Sequence, residues 1–222
     1  MYTHTEENYL KSIYKLSQKQ KAGISTNAIA DRMSTKASSV TDMIKKMADK
    51  KLVHYKKYKG VTLTAKGKKE ALKVIRKHRL WEVFLLEHLN FHWDEIHDIA
   101  EQLEHINSDQ LIEKLDRFLN YPKNDPHGDP IPDEQGQLPE DHSYLLSNLK
   151  TTDKALVVGV TDKSPAFLKY LDQVSIQLQT NLEVMAYYDF DQSMDVKVNE
   201  SAIVHLSNKV TQNISITGYD RK

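Results

Sequence analysis

The chain of 222 residues contains no cysteine. That excludes disulfides and removes thiolate as a metal ligand; a chain without them fits the cytoplasm. There is no run of eighteen apolar residues, so no transmembrane helix is expected. The first ten residues, "MYTHTEENYL", lack the basic and apolar parts of a signal peptide. No membrane partner is expected. The catalytic signatures are missing too. There is no HExxH, no P-loop, no GxSxG and no dinucleotide fingerprint. Glu101-x-x-Glu104 and Gln102-x-x-His105 do not match the paired Glu-x-x-His units of a di-iron bundle. Neither an enzyme nor a small-molecule substrate is expected.

What is present is charge, unevenly placed. The formal net charge is zero. Yet residues 36–79 hold fifteen Lys and Arg against three acids, a local +12 that leaves −12 for the rest. A concentrated basic block in a neutral chain is the footprint of a polyanion partner. A lysine-coated solubility surface is the plainer reading of the same block.

The block coincides with a recognisable pattern. "EENYLKSIYKL" has a helical rhythm in Tyr9, Leu10, Ile13, Tyr14 and Leu16, and Thr3 with Glu6 can close a capping box before it. "STNAIADRM" opens on the caps Ser25 and Thr26. "KASSVTDMIKKMADKKL" places Val40, Met43, Ile44 and Met47 on one side. Its other side carries Lys36, Ser38, Ser39, Thr41, Asp42, Lys45 and Lys46. Two short helices a tight turn apart, the second polar and basic outside, read as a helix-turn-helix. Hydroxyls and lysines at the second helix's start can meet base edges and phosphates. In "LVHYKKYKGVTLTAKG", Val61 and Leu63 alternate with Thr62 and Thr64, and Tyr58-Lys59-Gly60 makes a turn. This lysine-tipped hairpin, with Lys57 and Lys59 near its tip, reads as a wing.

A long helix is expected from Thr64, its cap, to about Leu89, a second from about Trp93 to Asn107, and a third in "SDQLIEKLDRFL" capped by Ser108 or Asp109. Trp81, Phe84 and Leu85 add apolar surface suited to a dimer. Residues 120–141 hold five of the six prolines and read as a linker. Beyond them, "KALVVGV", "SIQLQTNLEVMAYY", "DVKVNESAIVHLS" and "NKVTQNISIT" are short β-patterned runs. The expected fold is mainly α with a β module: a winged helix-turn-helix over 1–72, a helical metal-binding and dimerisation domain with its Pro-rich linker over 73–140, and an SH3-like small β barrel over 141–222.

The stretch "IHDIAEQLEHINSD" (96–109) suggests what the helices carry. His97, Glu101, Glu104 and His105 fall within about a third of a helix's circumference. The preceding helix offers His78 and Glu82, four apart. Imidazole nitrogen with carboxylate oxygen suits Mn, Fe, Co, Ni or Zn, and carboxylate-rich sites lean towards harder ions. A solvated charged face is the plainer alternative. A metal-responsive DNA-binding protein accounts for both the His/Glu cluster and the basic block.

Taken in order, "EENYLKSIYKL", "IADRMSTKASSVTDMIKKM", "GVTLTAKGK", "RKHRLWEVFL", "IHDIAEQLEHINSD" and "PHGDPIP" resemble the diphtheria-toxin-repressor family of metal-dependent transcriptional regulators, nearest its manganese-transport-regulator branch with a third domain. The resemblance covers 5–140 strongly and 150–216 loosely. It implies the three-domain fold above and two metal sites per subunit. Glu101, Glu104 and His105 with Asn8 would form the primary one. His78, Glu82 and His97, with Asp162 from the third domain, would form the ancillary one. It further implies a homodimer that binds a palindromic double-stranded operator when Mn²⁺ or Fe²⁺ orders it.

Two departures matter. The iron-responsive branch has a cysteine and a methionine in the primary site, where this chain has Glu101 and Asn8. The manganese branch usually has aspartate at position 8, and some members have glutamate where this chain has Lys11. A protonated lysine has no lone pair, which speaks against a second ion bridged from helix one. Two rival functions remain at this point: a winged-helix regulator with a structural His/Glu site and a non-metal signal, and a metal hydrolase or oxidase using the same ligands.

Overall fold

The computed structural model describes residues 2–18, 20, 22–56 and 59–218. It divides into two compact units. The first comprises Met1–His78, Glu101–Ile112 and Pro132–Leu138; the second comprises Arg79–Ala100, Glu113–Ile131 and Pro139–Lys222.

In the first unit, α1 (His4–Ser17) begins with the expected capping box. Thr3 Oγ1 accepts from Glu6 N at 3.2 Å, and Glu6 Oε2 accepts from Thr3 N at 3.0 Å. Helix α2 (Thr26–Arg32) starts at Ser25, whose hydroxyl accepts from Ala28 N. Helix α3 (Ala37–Asp49) follows after a short turn. Strands β1 (Val53–Lys56) and β2 (Gly60–Leu63) pair antiparallel. Gly60 is obligatory, because its φ is +81° and a Cβ there would lie 2.7 Å from Gly23 and Ile24 backbone. Leu10, Ile13, Ile29, Val40, Ile44, Met47, Leu52 and Val61 form the core of this winged helix-turn-helix. Each such side chain contributes about 1.5–3 kcal/mol by leaving water. Met43, expected inward, is only half-buried.

Helix α4 (Ala65–Leu89) starts where Thr64 Oγ1 accepts from Gly67 N at 3.0 Å, as expected, and runs out of the first unit after His78. Helix α5 (Ile96–Leu103) is shorter than the sequence reading. Glu104 and His105 stand in the turn beyond its end, so the four-residue stripe is not wholly helical. Helix α6 (Asp109–Phe118) is capped by Ser108, whose hydroxyl accepts from Leu111 N.

Residues 120–141 are only in part a loose linker: 133–141 are almost all exposed, but the stretch before them is tied down. Asp125, His127 and Ile131 are buried. Asp125 Oδ1 accepts from the amides of His127 (2.8 Å) and Asp129 (2.9 Å), a turn closed by its own carboxylate. Arg76 donates to the Pro132 carbonyl, and Arg79 to that of Pro130. Prolines lack amides but keep carbonyls, and here arginines take them.

The second unit holds a six-stranded antiparallel sheet of order β3-β8-β4-β5-β6-β7, with β3 Tyr144–Leu145, β4 Lys154–Val160, β5 Asn181–Tyr188, β6 Ser193–Val198, β7 Ala202–Leu206 and β8 Ile214–Thr217. Register shifts at Val157/Gly159 and Val184/Ala186 bend it. A helix the sequence reading overlooked, α7 (Pro165–Gln173), buries Leu168 and Leu171 against it, and α8 (Asn208–Thr211) precedes β8. Val157, Val184, Val196, Ile214 and Ile216 form the core, joined by Trp93.

Candidate metal centre and nucleic-acid interface

In the first unit, Glu104 is fully buried. Its Oε2 lies 2.6 Å from His78 Nδ1, and its Oε1 accepts from Lys11 Nζ at 2.5 Å. The same ammonium donates to Glu101 Oε1 at 2.6 Å. His105 Nδ1 lies 2.6 Å from Glu7 Oε2, and the His105 ring stacks on His4 with centroids 4.4 Å apart. Lys77 stands 3.7 Å from Glu7. Asn8 Oδ1 is buried and accepts no hydrogen bond among the described residues. An orphaned carbonyl oxygen is costly unless a cation or donor reaches it.

The site therefore has three carboxylates (Glu7, Glu101, Glu104), two imidazoles (His78, His105) and one amide oxygen. Its sulfur-free donor set suits Mn²⁺ or Fe²⁺. His78 Nδ1 is bonded to Glu104 Oε2 here.

Glu82 and His97 lie in the second unit, with His97 Nδ1 3.1 Å from Glu82 Oε1. A further histidine faces the same carboxylate: His127 Nδ1 is 3.7 Å from Glu82 Oε1. Single ligand atoms of Glu82, Asp125 and His127 all lie within 4.8 Å of one another, and all three residues are buried. His127 Nε2 is 3.0 Å from the Trp93 carbonyl. A carbonyl only accepts, so Nε2 must carry the proton. In the neutral ring Nδ1 is then a bare lone pair, and it makes no hydrogen bond among the described residues. A lone pair aimed at carboxylates is repelled unless a cation lies between them. An imidazole whose other nitrogen donates to a backbone carbonyl is the usual form of a histidine metal ligand.

Burial pushes the Asp125 carboxyl up, against the opposing pull of Lys163, and the nearby Glu82 and Asp129 carboxylates add to the rise. Lys163 Nζ lies 3.3 Å from Asp125 Oδ2 and 2.6 Å from Asp129 Oδ2; Arg79 Nη2 lies 3.1 Å from Asp129 Oδ2. Burial alone would lower the Lys163 ammonium, but Asp125, Asp129 and Glu82 outweigh it and hold it charged. Asp162, the expected ligand from the third domain, spends Oδ1 on the amide of Ser164 at 2.9 Å. Asp125 and His127 went unread in the sequence because their spacing of two falls in a Pro-rich loop with no helical stripe. The "DPHGDP" run around Gly128 was the available signal.

Lys36, at the N-cap of α3, and Ser38, Ser39, Asp42, Lys45 and Lys46 on it are exposed. Thr41 is half-buried, and its hydroxyl donates to the Ala37 carbonyl at 2.9 Å. Lys45 lies 3.9 Å from Asp42. Lys59 is exposed at the hairpin. Lys57 lies outside the described residues.

A winged helix-turn-helix whose first helix, α1, takes part in a His/Glu cluster defines a class: transcriptional regulators gated by a small cation. Three family models match the chain: the iron-dependent repressor N-terminal DNA-binding domain over 1–61, the iron-dependent repressor metal-binding and dimerisation domain over 64–133, and the FeoA domain over 144–217. The chain belongs to the iron-dependent repressor family, which includes the diphtheria toxin repressor. It is 33% identical over 128 residues to the iron-dependent repressor IdeR of Mycobacterium leprae, spanning 58% of this chain and 55% of that one. It is 35% identical over 125 residues to the regulator MntR of Oceanobacillus iheyensis, spanning 56% and 84%. Its fold is similar to a manganese-dependent transcriptional repressor solved with manganese, with a TM-score of 0.87, 36% identity and coverage of 95% and 98% of the two chains. It is also similar to ScaR with bound Zn²⁺, at a TM-score of 0.76 and 33% identity over 96% and 98%. None of the described helices is long and apolar enough to cross a membrane.

Proposed function

We propose that the protein is a DNA-binding transcriptional repressor that senses Mn²⁺ or Fe²⁺ and controls metal homeostasis. The observation that carries this reading is the buried Nδ1 of His127, which faces Glu82 Oε1 at 3.7 Å and makes no hydrogen bond among the described residues. The orphaned Asn8 Oδ1 supports it from the first unit. A purely structural His/Glu cluster would be expected to pair these atoms internally. The likeness to the iron-dependent repressor IdeR and to the manganese-dependent repressor of similar fold supports the same reading.

Asn8, Glu101, Glu104 and His105 would hold one ion, with His78 bonded to Glu104. Glu82, Asp125 and His127 would hold another, with His97 beside Glu82. Bound metal supplies a divalent charge that several ligands share at once. Asn8 sits on α1 of the DNA-binding part, Glu101 in the last turn of α5, and Glu104 and His105 in the turn that follows it. Joining them fixes the winged helix, and the equilibrium shifts towards the arrangement that fits DNA. The domain limits we adopt are 1–72, 73–140 and 141–222.

Exposed Phe118 and Tyr121, with Phe84 and His88 against the Phe118 ring, offer an apolar face for a homodimer. A two-fold dimer would match the two half-sites of a palindromic operator. Ser38, Ser39 and Asp42 would meet bases, and Lys36, Lys45, Lys46, Lys57 and Lys59 phosphates.

The test is operator affinity of metal-stripped protein with Mn²⁺, Fe²⁺, Co²⁺ or Zn²⁺ added back. Tighter binding with Mn²⁺ or Fe²⁺ is expected, and Glu104→Gln should remove most of that response while the protein stays folded. Equal affinity with and without metal would sink the reading.

A further inference from the structure

Glu7, Asn8 and Lys11 fall on one face of α1, at spacings that place them within one helical turn. They are used unequally. Lys11 Nζ donates to both Glu101 Oε1 (2.6 Å) and Glu104 Oε1 (2.5 Å), with its side chain 7% exposed and that of Glu104 at 0%. Asn8, one residue past Glu7, has a buried oxygen with no hydrogen bond among the described residues. The ammonium occupies the place between two carboxylate oxygens that a divalent cation would need. It cannot share that place, since it has no lone pair to offer and its charge repels a second cation.

We propose that Lys11 is a built-in counter-cation for the Glu101/Glu104 pocket: it ties α1 to the 101–105 segment in the metal-free protein and is displaced when metal enters. The inference rests on the proposed metal reading of that pocket. The exchange swaps one tether from α1 for another, with Lys11 leaving and Asn8 engaging. Both states therefore join the same two segments, but through residues one turn apart. The tie also sets the metal threshold. Only the fraction of molecules with Lys11 withdrawn can take metal, so the apparent affinity is reduced by that fraction. The other groups around the pocket do not substitute for Lys11. His78 bonds the second oxygen of Glu104, Lys77 stands at Glu7, and His105 bonds Glu7 through Nδ1 while its Nε2 stays 3.9 Å from Glu104 Oε1, beyond hydrogen-bond reach.

The experiment titrates Mn²⁺ into metal-stripped, full-length protein by calorimetry, for wild type, Lys11→Gln and Lys11→Arg. It also records thermal midpoints without metal. Lys11→Gln should bind one Mn²⁺ at least tenfold more tightly, and its metal-free midpoint should fall because a buried carboxylate loses its cation. Lys11→Arg keeps a cation with a firmer two-pronged grip, and should bind that Mn²⁺ as wild type does or more weakly. Unchanged or weaker Mn²⁺ binding by Lys11→Gln would overturn the proposal while leaving the metal reading intact. Should Lys11→Gln not fold, tighter binding by Lys11→Arg would overturn it, and binding equal to or weaker than wild type would support it. If Glu104→Gln binds as many Mn²⁺ ions as wild type, with the same affinities, the pocket takes no metal. The metal reading of this pocket and the Lys11 proposal then fall together.

Discussion

The ring of His127 donates from Nε2 to the main-chain carbonyl of Trp93 at 3.0 Å, across 34 residues of sequence. In the neutral ring that bond leaves Nδ1 as the lone-pair nitrogen, and Nδ1 faces Glu82 Oε1 at 3.7 Å, where the proposed ion would sit. His127→Gln should therefore lower the Mn²⁺ stoichiometry by one ion per chain, as measured by elemental analysis after dialysis at fixed free metal. The glutamine amide NH2 can donate to the same Trp93 carbonyl but presents no ring nitrogen. An unchanged metal count would remove His127 from the site.

Glu6 gives a prediction in pH. Burial pushes its carboxyl up most strongly, yet the Lys50 ammonium at 2.5 Å and the Thr3 amide together hold it below its ordinary 4.5. A carboxyl depressed in the folded state stabilises the fold above its unfolded value, and that contribution disappears as pH falls through the folded value. Glu6→Gln should cost about 1 kcal/mol near neutrality, the usual scale for a lost cap and a half-exposed pair. The gap from wild type should close as the pH is lowered below about 4. Urea midpoints of the two proteins across that range would check it, and a gap that persists in acid would contradict it.

Much of this was legible beforehand, for definite reasons. Amphipathic spacing located α1 to α4, and Thr3, Ser25, Thr64 and Ser108 marked helix starts because each hydroxyl accepts an otherwise unbonded amide. The stripe from His97 to His105 was read as one helix, but α5 stops at Leu103, and the turn after it delivers Glu104 and His105. Periodicity picks out Glu104 and His105 but does not show that the helix gives way to a turn before them. It also missed α7, since Pro165 resembles a loop residue and is in fact the first residue of a helix, where its missing amide costs nothing. Lys11 was read only as a residue unable to ligate. Its bond to residues 90 and 93 positions away depends on tertiary structure that no local pattern encodes.

The basic face of α3 makes a prediction in salt. Lys45 and Lys46 are exposed, and among the described residues only Lys45 pairs with an acid, Asp42 at 3.9 Å. If both neutralise phosphates, Lys45→Ala with Lys46→Ala should flatten the slope of log affinity against log salt by about 2, at roughly 0.9 per phosphate lost. It should weaken binding to operator and to unrelated DNA alike, since phosphate contacts carry no sequence. A slope unchanged in fluorescence-anisotropy titrations would move the DNA contact off this helix face.

Gly128 tests the proposed second metal site without touching a proposed ligand. Its φ is +89°, a region costly for any side chain, and a Cβ there would lie 2.0 Å from the Val158 carbonyl oxygen and 2.4 Å from Gly159 Cα. Those are backbone atoms of β4, which cannot swing aside as a side chain could. The same loop is fixed to that strand by the Val160 amide, which donates to the His127 carbonyl at 2.8 Å. Gly128→Ala must therefore push the loop away from the strand and carry His127 with it. The Nε2 bond to Trp93 would break, and the tautomer would no longer be held. Loss of one Mn²⁺ per chain is expected, with a fall in thermal midpoint that added Mn²⁺ does not restore. The Glu101/Glu104 pocket, in the other unit, should keep its ion. A variant that retains the full metal count would mean that the loop's closeness to β4 is not what positions His127.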